Sequence, residues 1–334
     1  MNEAVRPSTL AAQPIGKVSR VSEGVYQLKV PVPFPLKFIA SYLVEESDGW
    51  TVIDTGFDYP PAREAWESGA AEVGLSLEKD VARVIVTHLH PDHIGLARWL
   101  QEQSGAPVWM LEGEIENARH VWDPERSTED FVRFLLRNGM DLRTAEATAG
   151  TTRLGVRLPE RLTPLQPKEV IQLGDGEVRV VHTPGHSDFH FVLHDERRRL
   201  LFAGDQLLLH ITPNIGLWTY TAPRPLKRYL GSIQGLRGMG VDLVLPGHGP
   251  LFDDLDGRID ELLVHHEERL EVMHAAFAGE PATPFEIARR VFPEDLSYHQ
   301  LRFALAETLA HLEHLVGEGR AERLDGDVVS YRAV

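Results

Sequence analysis

Cysteine is absent from the 334 residues. No disulfide framework can form, and no thiolate is available as nucleophile or metal ligand. Long apolar runs are missing as well. No stretch approaches the roughly 18 apolar residues of a membrane span, and Met1 to Gly16 lacks the apolar core of a secretory signal. A cytoplasmic protein with no membrane partner is expected. Positive charge is scarce, with 34 Lys and Arg against 50 Asp and Glu and a formal net charge of −16. Such a surface repels phosphate backbones, which argues against a nucleic-acid partner. What remains is ordinary globular material, 43% hydrophobic and 25% charged, long enough for one large domain and a small one.

Short strands open the chain. Val25 to Val30 alternates, Ile39 to Glu46 is a second extended run, and Trp50 to Ile53 runs into the turn Asp54-Thr55-Gly56. Pro61 to Val73 is expected as a helix with proline at its start. The apolar run Val81 to Val86 has strand length and ends at Thr87-His88. Helical character over Asp92 to Gln103 and a short strand over Pro107 to Leu111 complete a layered α/β pattern. From about 112 to 165, Phe131, Phe134, Leu135 and Leu136 recur at helical spacing with no strand signal between them. This is expected to be a helical insertion, either packing helices or a substrate lid. A second strand-rich block follows, with strands over Glu177 to Val181, Phe189 to His194, Arg199 to Ala203 and Val241 to Leu245, and a helix over Pro223 to Met239. The two halves suggest duplicated architecture. Beyond Gly257 come helices over Arg258 to Phe277, Pro284 to Val291 and Leu296 to Val316. Two short strands then meet at Asp325-Gly326, the pattern of a winged helix. The expected domains are residues 1–256 and 257–334.

The chemistry concentrates in Thr87-His88-Leu89-His90-Pro91-Asp92-His93, where three imidazoles and a carboxylate follow directly on an apolar strand. Imidazole nitrogen and carboxylate oxygen suit zinc, iron and manganese. His88 and His90 are two apart, so an extended chain points them the same way. His186, Asp205 and His248 each follow an apolar strand of their own. Ligand groups in α/β folds gather where the carboxyl ends of strands converge, so a single shared site is expected. His182, His190 and His194 are expected at the edge of the core or on the surface. His210, five positions after Asp205, is a candidate proton donor to a leaving group.

These motifs, in this order, resemble the metallo-β-lactamase superfamily. His88-Leu89-His90-Pro91-Asp92-His93 matches its H-x-H-x-D-H signature, and Val52 to Gly56 resembles its early strand and turn. Gly185-His186, Gly204-Asp205 and Pro246-Gly247-His248-Gly249 are similar to its later motifs, and the match runs from about Val18 to Phe252. The C-terminal part resembles the winged-helix extension of the β-lactamase-like, glyoxalase II-like branch. The resemblance implies an α/β fold, a four-layer αββα sandwich with a helical insertion and a small C-terminal winged-helix domain. It implies a metal-dependent hydrolase with two divalent ions, zinc first and iron or manganese also tolerated. His88, His90 and His186 would hold one ion, Asp92, His93 and His248 the other, and Asp205 would bridge them. Asp54 would orient the site from behind. The two ions would share a hydroxide that attacks a carbonyl or phosphoryl centre, with Asp92 also orienting it.

Departures from other branches narrow this. Relatives that reduce oxygen or nitric oxide usually carry Glu where His90 stands. Some true β-lactamases use a Cys ligand and lack the bridging Asp205. The interval from His186 to Asp205 is too short for the inserted domain of the nucleic-acid-processing branch. The helix Leu296 to Val316 carries Arg302 but also Glu307 and Glu313, a poor phosphate-binding face, so packing, pocket closure or homodimerisation is its expected role. The apolar segment Ile211 to Tyr220 is expected to suit an apolar substrate arm. The expected substrate is a small-molecule ester, a thioester or lactone. The alternative is a phosphodiesterase or ribonuclease of the same fold.

Overall fold

The computed structural model describes residues 14–152 and 155–334. The N-terminal stretch read above for a signal lies largely outside the described residues. Strands β1 (Val18–Ser22), β2 (Val25–Pro31), β3 (Phe38–Glu46) and β4 (Gly49–Ile53) pair antiparallel. Strands β5 (Val81–Ile85), β6 (Val108–Leu111) and β7 (Leu162–Leu165) continue the sheet in parallel, giving seven strands in sequence order. A five-stranded sheet follows from β8 (Val170–Leu173), β9 (Gly176–His182), β10 (Phe191–Asp195), β11 (Leu200–Gly204) and β12 (Leu243–Pro246). Its β11 and β12 run parallel and the other pairs antiparallel.

Alternation along the strands builds the layers. In β3, Ala40, Tyr42 and Val44 share a core with Phe191 and Leu193 of β10 and Leu200 and Phe202 of β11, so the two sheets face each other. Ile39 and Leu43 point the other way, into a core with Ala62, Trp66 and Ala70 of the helix Pro60–Glu72 and Leu100 of the helix Ala97–Ser104. Val192, Leu201 and Val244 are buried on the far face of the second sheet, which is therefore covered on both sides. This is the mixed α/β sandwich expected from the motifs.

Three short strands escaped the sequence reading. Strand β7 falls inside the stretch expected to be helical, where four residues that include Pro164 leave no readable period. Strands β1 and β8 are also brief, five and four residues. The helix expected over Asp92 to Gln103 is broken into Pro91–Ile94 and Ala97–Ser104. At the break the Leu96 N–H bonds to Gly56 O at 2.9 Å.

The chain forms two compact units that cross the expected boundary at 256. Among the described residues, one comprises 14–122, 156–213 and 233–259; the other comprises 123–152, 155, 214–232 and 260–334. In the second unit the insertion helices Glu129–Arg137 and Leu142–Gly150 share a core of Leu135, Met140, Ala145 and Ala149 with Leu305 and Leu309 of the helix Tyr298–Gly317. Packing is thus what these insertion helices do. Capping boxes start the helices Pro284–Val291 and Tyr298–Gly317, and the hairpin of β13 (Ala321–Leu324) and β14 (Ser330–Ala333) follows.

Candidate metal centre

All seven expected ligands lie in the first unit and are brought together. Three groups form, each with its ligand atoms within 4.8 Å of one another: His88, His90 and His186; His88, His93 and Asp205; Asp92, His93 and His248. His88 and His90 leave from the loop after β5, Asp92 and His93 from the short helix Pro91–Ile94, His186 from the loop after β9, Asp205 from the end of β11 and His248 from just beyond β12. Strand ends place them. Beyond β12 the Gly247 N–H bonds to Gly204 O at 2.7 Å, which carries His248 alongside Asp205.

Asp205 stands between the groups. Its Oδ1 faces His93 Nε2 at 3.3 Å, and its Oδ2 faces His186 Nε2 at 3.6 Å and His248 Nε2 at 3.5 Å. Asp92 Oδ2 lies 3.2 Å from His248 Nε2. His93 Nε2, His248 Nε2 and Asp205 Oδ1 are buried with no hydrogen-bond partner among the described residues. Orphaned buried nitrogens and a carboxylate oxygen converging on a shared point fit a cation and little else. Only glycine fits at 247, where a Cβ would stand 2.4 Å from Asp205 Oδ1 and 2.9 Å from His93 Cε1.

The far sides of these rings are held by the protein. Asp54, on the turn after β4, accepts His93 Nδ1–H at 2.9 Å, the Thr87 N–H at 2.8 Å and the Thr87 hydroxyl at 2.9 Å. His88 Nδ1 lies 3.0 Å from that hydroxyl, so one carboxylate orients His93 directly and His88 through Thr87. Asp54 adopts φ 56°, a strained conformation for a non-glycine residue. His248 Nδ1 bonds to Phe38 O at 2.8 Å.

Burial and mutual repulsion push His88 well below its usual pKa and His90 down to about 3. Burial also works against charge on His93 and His248, yet Asp205, with Asp54 or Asp92, raises both above 6.5. Burial opposes ionisation of Asp92 and Asp205, but His248 and His93 outweigh it; Asp92 falls to about 2 and Asp205 goes well below its ordinary range. The site is thus set up with neutral and charged imidazoles around ionised carboxylates.

Two supporting residues were missed by sequence reasoning. His190, expected at the core edge or surface, is fully buried. Its Nε2 accepts the Asp205 N–H at 3.2 Å while Nδ1 meets Thr183 Oγ1 at 2.9 Å. Gly204, at φ 48°, leaves room for it, since a Cβ there would meet His190 Nε2 at 2.7 Å. Glu114, on the helix Glu112–Val121, is also fully buried. It accepts the Leu89 N–H at 2.8 Å and the Phe189 N–H at 3.2 Å, tying the loop of His88 and His90 to that of His186. Burial raises its carboxyl to about 7 against these bonds. One of three glutamates in an amphipathic helix reads as solvated, and no motif marks it. His182 bonds to Asp188 O at 3.0 Å and stacks on Phe189, and His194 is buried. His210 is exposed and makes no described contact with the seven.

A fold of two facing sheets with this constellation at the strand ends defines a metal-dependent hydrolase. Residues 35–248 match the model of the metallo-beta-lactamase superfamily, and residues 270–334 that of the metallo-beta-lactamase-like C-terminal domain. The chain belongs to the metallo-beta-lactamase superfamily. It is similar to the probable metallo-hydrolase YqjP of Bacillus subtilis, 26% identical over 312 residues, covering 89% of this chain and 93% of that protein. Among solved structures, a metallo-beta-lactamase family protein from Thermus thermophilus shares 36% identity with a TM-score of 0.85, covering 94% of this chain and all (100%) of that one. A beta-lactamase domain protein from Burkholderia ambifaria shares 32% with a TM-score of 0.87, covering 97% of each chain. Among the described residues no helix is long and apolar enough to cross a membrane.

Proposed function

We propose that the ligand groups hold two divalent cations, zinc by preference with iron or manganese as substitutes, and that the protein hydrolyses a carbonyl-type ester, either a thioester or a lactone. The position of Asp205 carries the dinuclear reading: its carboxylate reaches both ligand groups, Oδ2 facing His186 of one and His248 of the other while Oδ1 faces His93. When bound, such ions supply an activated water at neutral pH and offset charge on the attacked oxygen. His88, His90 and His186 would hold one ion, and Asp92, His93 and His248 the other. Asp54 and His190 hold ligands in orientation from behind. Asp92 would take up a proton from the attacking water at its carboxylate. The charge of −16 supports a carbonyl substrate over a polyphosphate backbone.

Metal analysis of the purified chain, with turnover measured on acyl-thioesters, lactones and single-stranded RNA in wild type and His88→Ala, tests this. Two ions per chain and His88-dependent ester turnover are expected. Fewer than one ion per chain overturns the metal reading; RNA cleavage lost in His88→Ala without ester turnover replaces the ester reading with a nuclease.

A further inference from the structure

Within the second unit, Arg302 is a guanidinium with no acid partner among the described residues. It sits on the helix Tyr298–Gly317 with Cζ 4.2 Å from the Phe303 ring centroid and 5.9 Å from that of Trp218. Its Nε is buried with no hydrogen-bond partner, and its nearest described polar neighbour is His299, Nη2 to Nδ1 at 3.4 Å. Burial lowers the guanidinium to about 10 and His299 to about 4, so that imidazole brings no charge at neutral pH. The acids of the same helix are engaged elsewhere. Glu307 lies 3.6 Å from Arg269 and accepts from Asn214 at 3.2 Å, while Glu313 accepts from Arg323 at 3.0 Å and Tyr331 at 2.6 Å.

A second arginine meets the same segment. Arg126 donates to Thr219 Oγ1 at 3.0 Å and lies 5.8 Å from the Tyr220 ring centroid, with no described acid partner. Phe131 flanks Trp218 at 6.4 Å. Trp218-Thr219-Tyr220 therefore carries a guanidinium at each end, in a chain where acids outnumber bases 50 to 34. Stacking on aromatic rings returns only part of what desolvating a guanidinium costs, and a planar fork is made for a carboxylate or phosphate.

We propose that Arg302 and Arg126, set about Trp218-Thr219-Tyr220, bind an organic anion: a carboxylate or phosphate on a flat apolar body, with the acid group on the guanidinium forks and the body against Trp218 and Phe303. Calorimetric titration of the full, metal-loaded chain with benzoate, phenyl phosphate and neutral benzyl alcohol tests it, run in parallel on R302M, R126M and H90A. Saturable binding of at least one anion and none of the alcohol is expected. R302M should weaken that binding by about tenfold or more, the loss of a charge-assisted pair, R126M should weaken it less, and H90A should leave it unchanged. The tighter of the two anions identifies the acid group. R302M should also melt at or above wild type, because methionine keeps the apolar stem and removes a desolvated charge. Should R302M fail to fold, R302K serves, retaining the charge but losing the fork and several-fold in affinity. Equal anion affinity in wild type and the Arg302 variants, alcohol binding as tight as the anions, no saturable binding, or binding abolished by H90A alone would each overturn the proposal. So would a lower melting temperature in R302M with anion binding intact, which marks Arg302 as a stacking residue.

Discussion

His93 Nδ1 donates to Asp54 Oδ2 across 2.9 Å, and both side chains are shielded from water. The bond fixes the orientation of the ring, so that Nε2 of His93 faces Asp205. The same carboxylate reaches His88 through Thr87. Asp54→Asn keeps the size but must turn an amide toward one of its donors. Metal affinity should fall about 10- to 100-fold, the usual consequence of losing an orienting partner. Competition with a chromophoric chelator measures it, and an unchanged dissociation constant would show Asp54 to be an ordinary turn residue.

Glu114 binds two backbone N–H groups from loops that carry different ligands. Glu114→Ala leaves both donors buried and unpaired, at a cost of about 1–3 kcal/mol each. Glu114→Gln keeps one acceptor oxygen and should recover part of the loss. The test is the urea midpoint together with metal content. If both variants match wild type in each measurement, the tie between the loops is unimportant.

Gly247→Ala places a methyl group 2.4 Å from Asp205 Oδ1. Overpacking of this kind costs about 1–3 kcal/mol, and here the strain falls on the proposed bridging carboxylate. Hydrolysis and bound metal should drop together while the far-ultraviolet circular dichroism stays native. Full metal occupancy in the variant would count against the placement of Asp205.

Metal uptake should release protons near neutral pH. Carboxylate neighbours hold His93 and His248 above 6.5 in the metal-free chain, so an incoming cation displaces their protons. His88 and His90 are held below 6.5 and are already neutral there. Raised histidines stabilise the metal-free fold below their unfolded value and lose that contribution as pH climbs through the raised one. Affinity for the cation should therefore increase with pH across the neutral range. Titration calorimetry in buffers of different ionisation enthalpy reads the protons directly, and a value of zero at pH 7 would contradict the assignment.

Much of the centre was readable because its residues come in strings. Three histidines and an aspartate crowd into the positions from 88 to 93, and His186, Asp205 and His248 each punctuate a strand, so spacing and strand ends pointed to one place. The sandwich was legible because short apolar runs of strand length, such as those of β5 and β11, stand out in the sequence. What stayed hidden depends on contacts across distance. His190 and Glu114 act through backbone donors 15 and 25 positions away, and neither sits in a motif. Strand β7 is too short to show a period, and the grouping of residues 123–155 with the C-terminal helices is a matter of tertiary packing. His210, a plausible residue type near the right motif, is left exposed by the fold.

Strand β3 grips the segment that bears His248 in three places. The Ala40 N–H bonds to Gly247 O at 2.7 Å, the Tyr42 hydroxyl to Pro246 O at 2.7 Å, and His248 to Phe38 O at 2.8 Å. One sheet thereby clasps the ligand supplied by the other. Parting the sheets would pull His248 away, and a cation held there would resist the parting. The Ala40 amide thus becomes a built-in gauge: its hydrogen exchange should slow when metal enters, although it touches no ligand side chain itself.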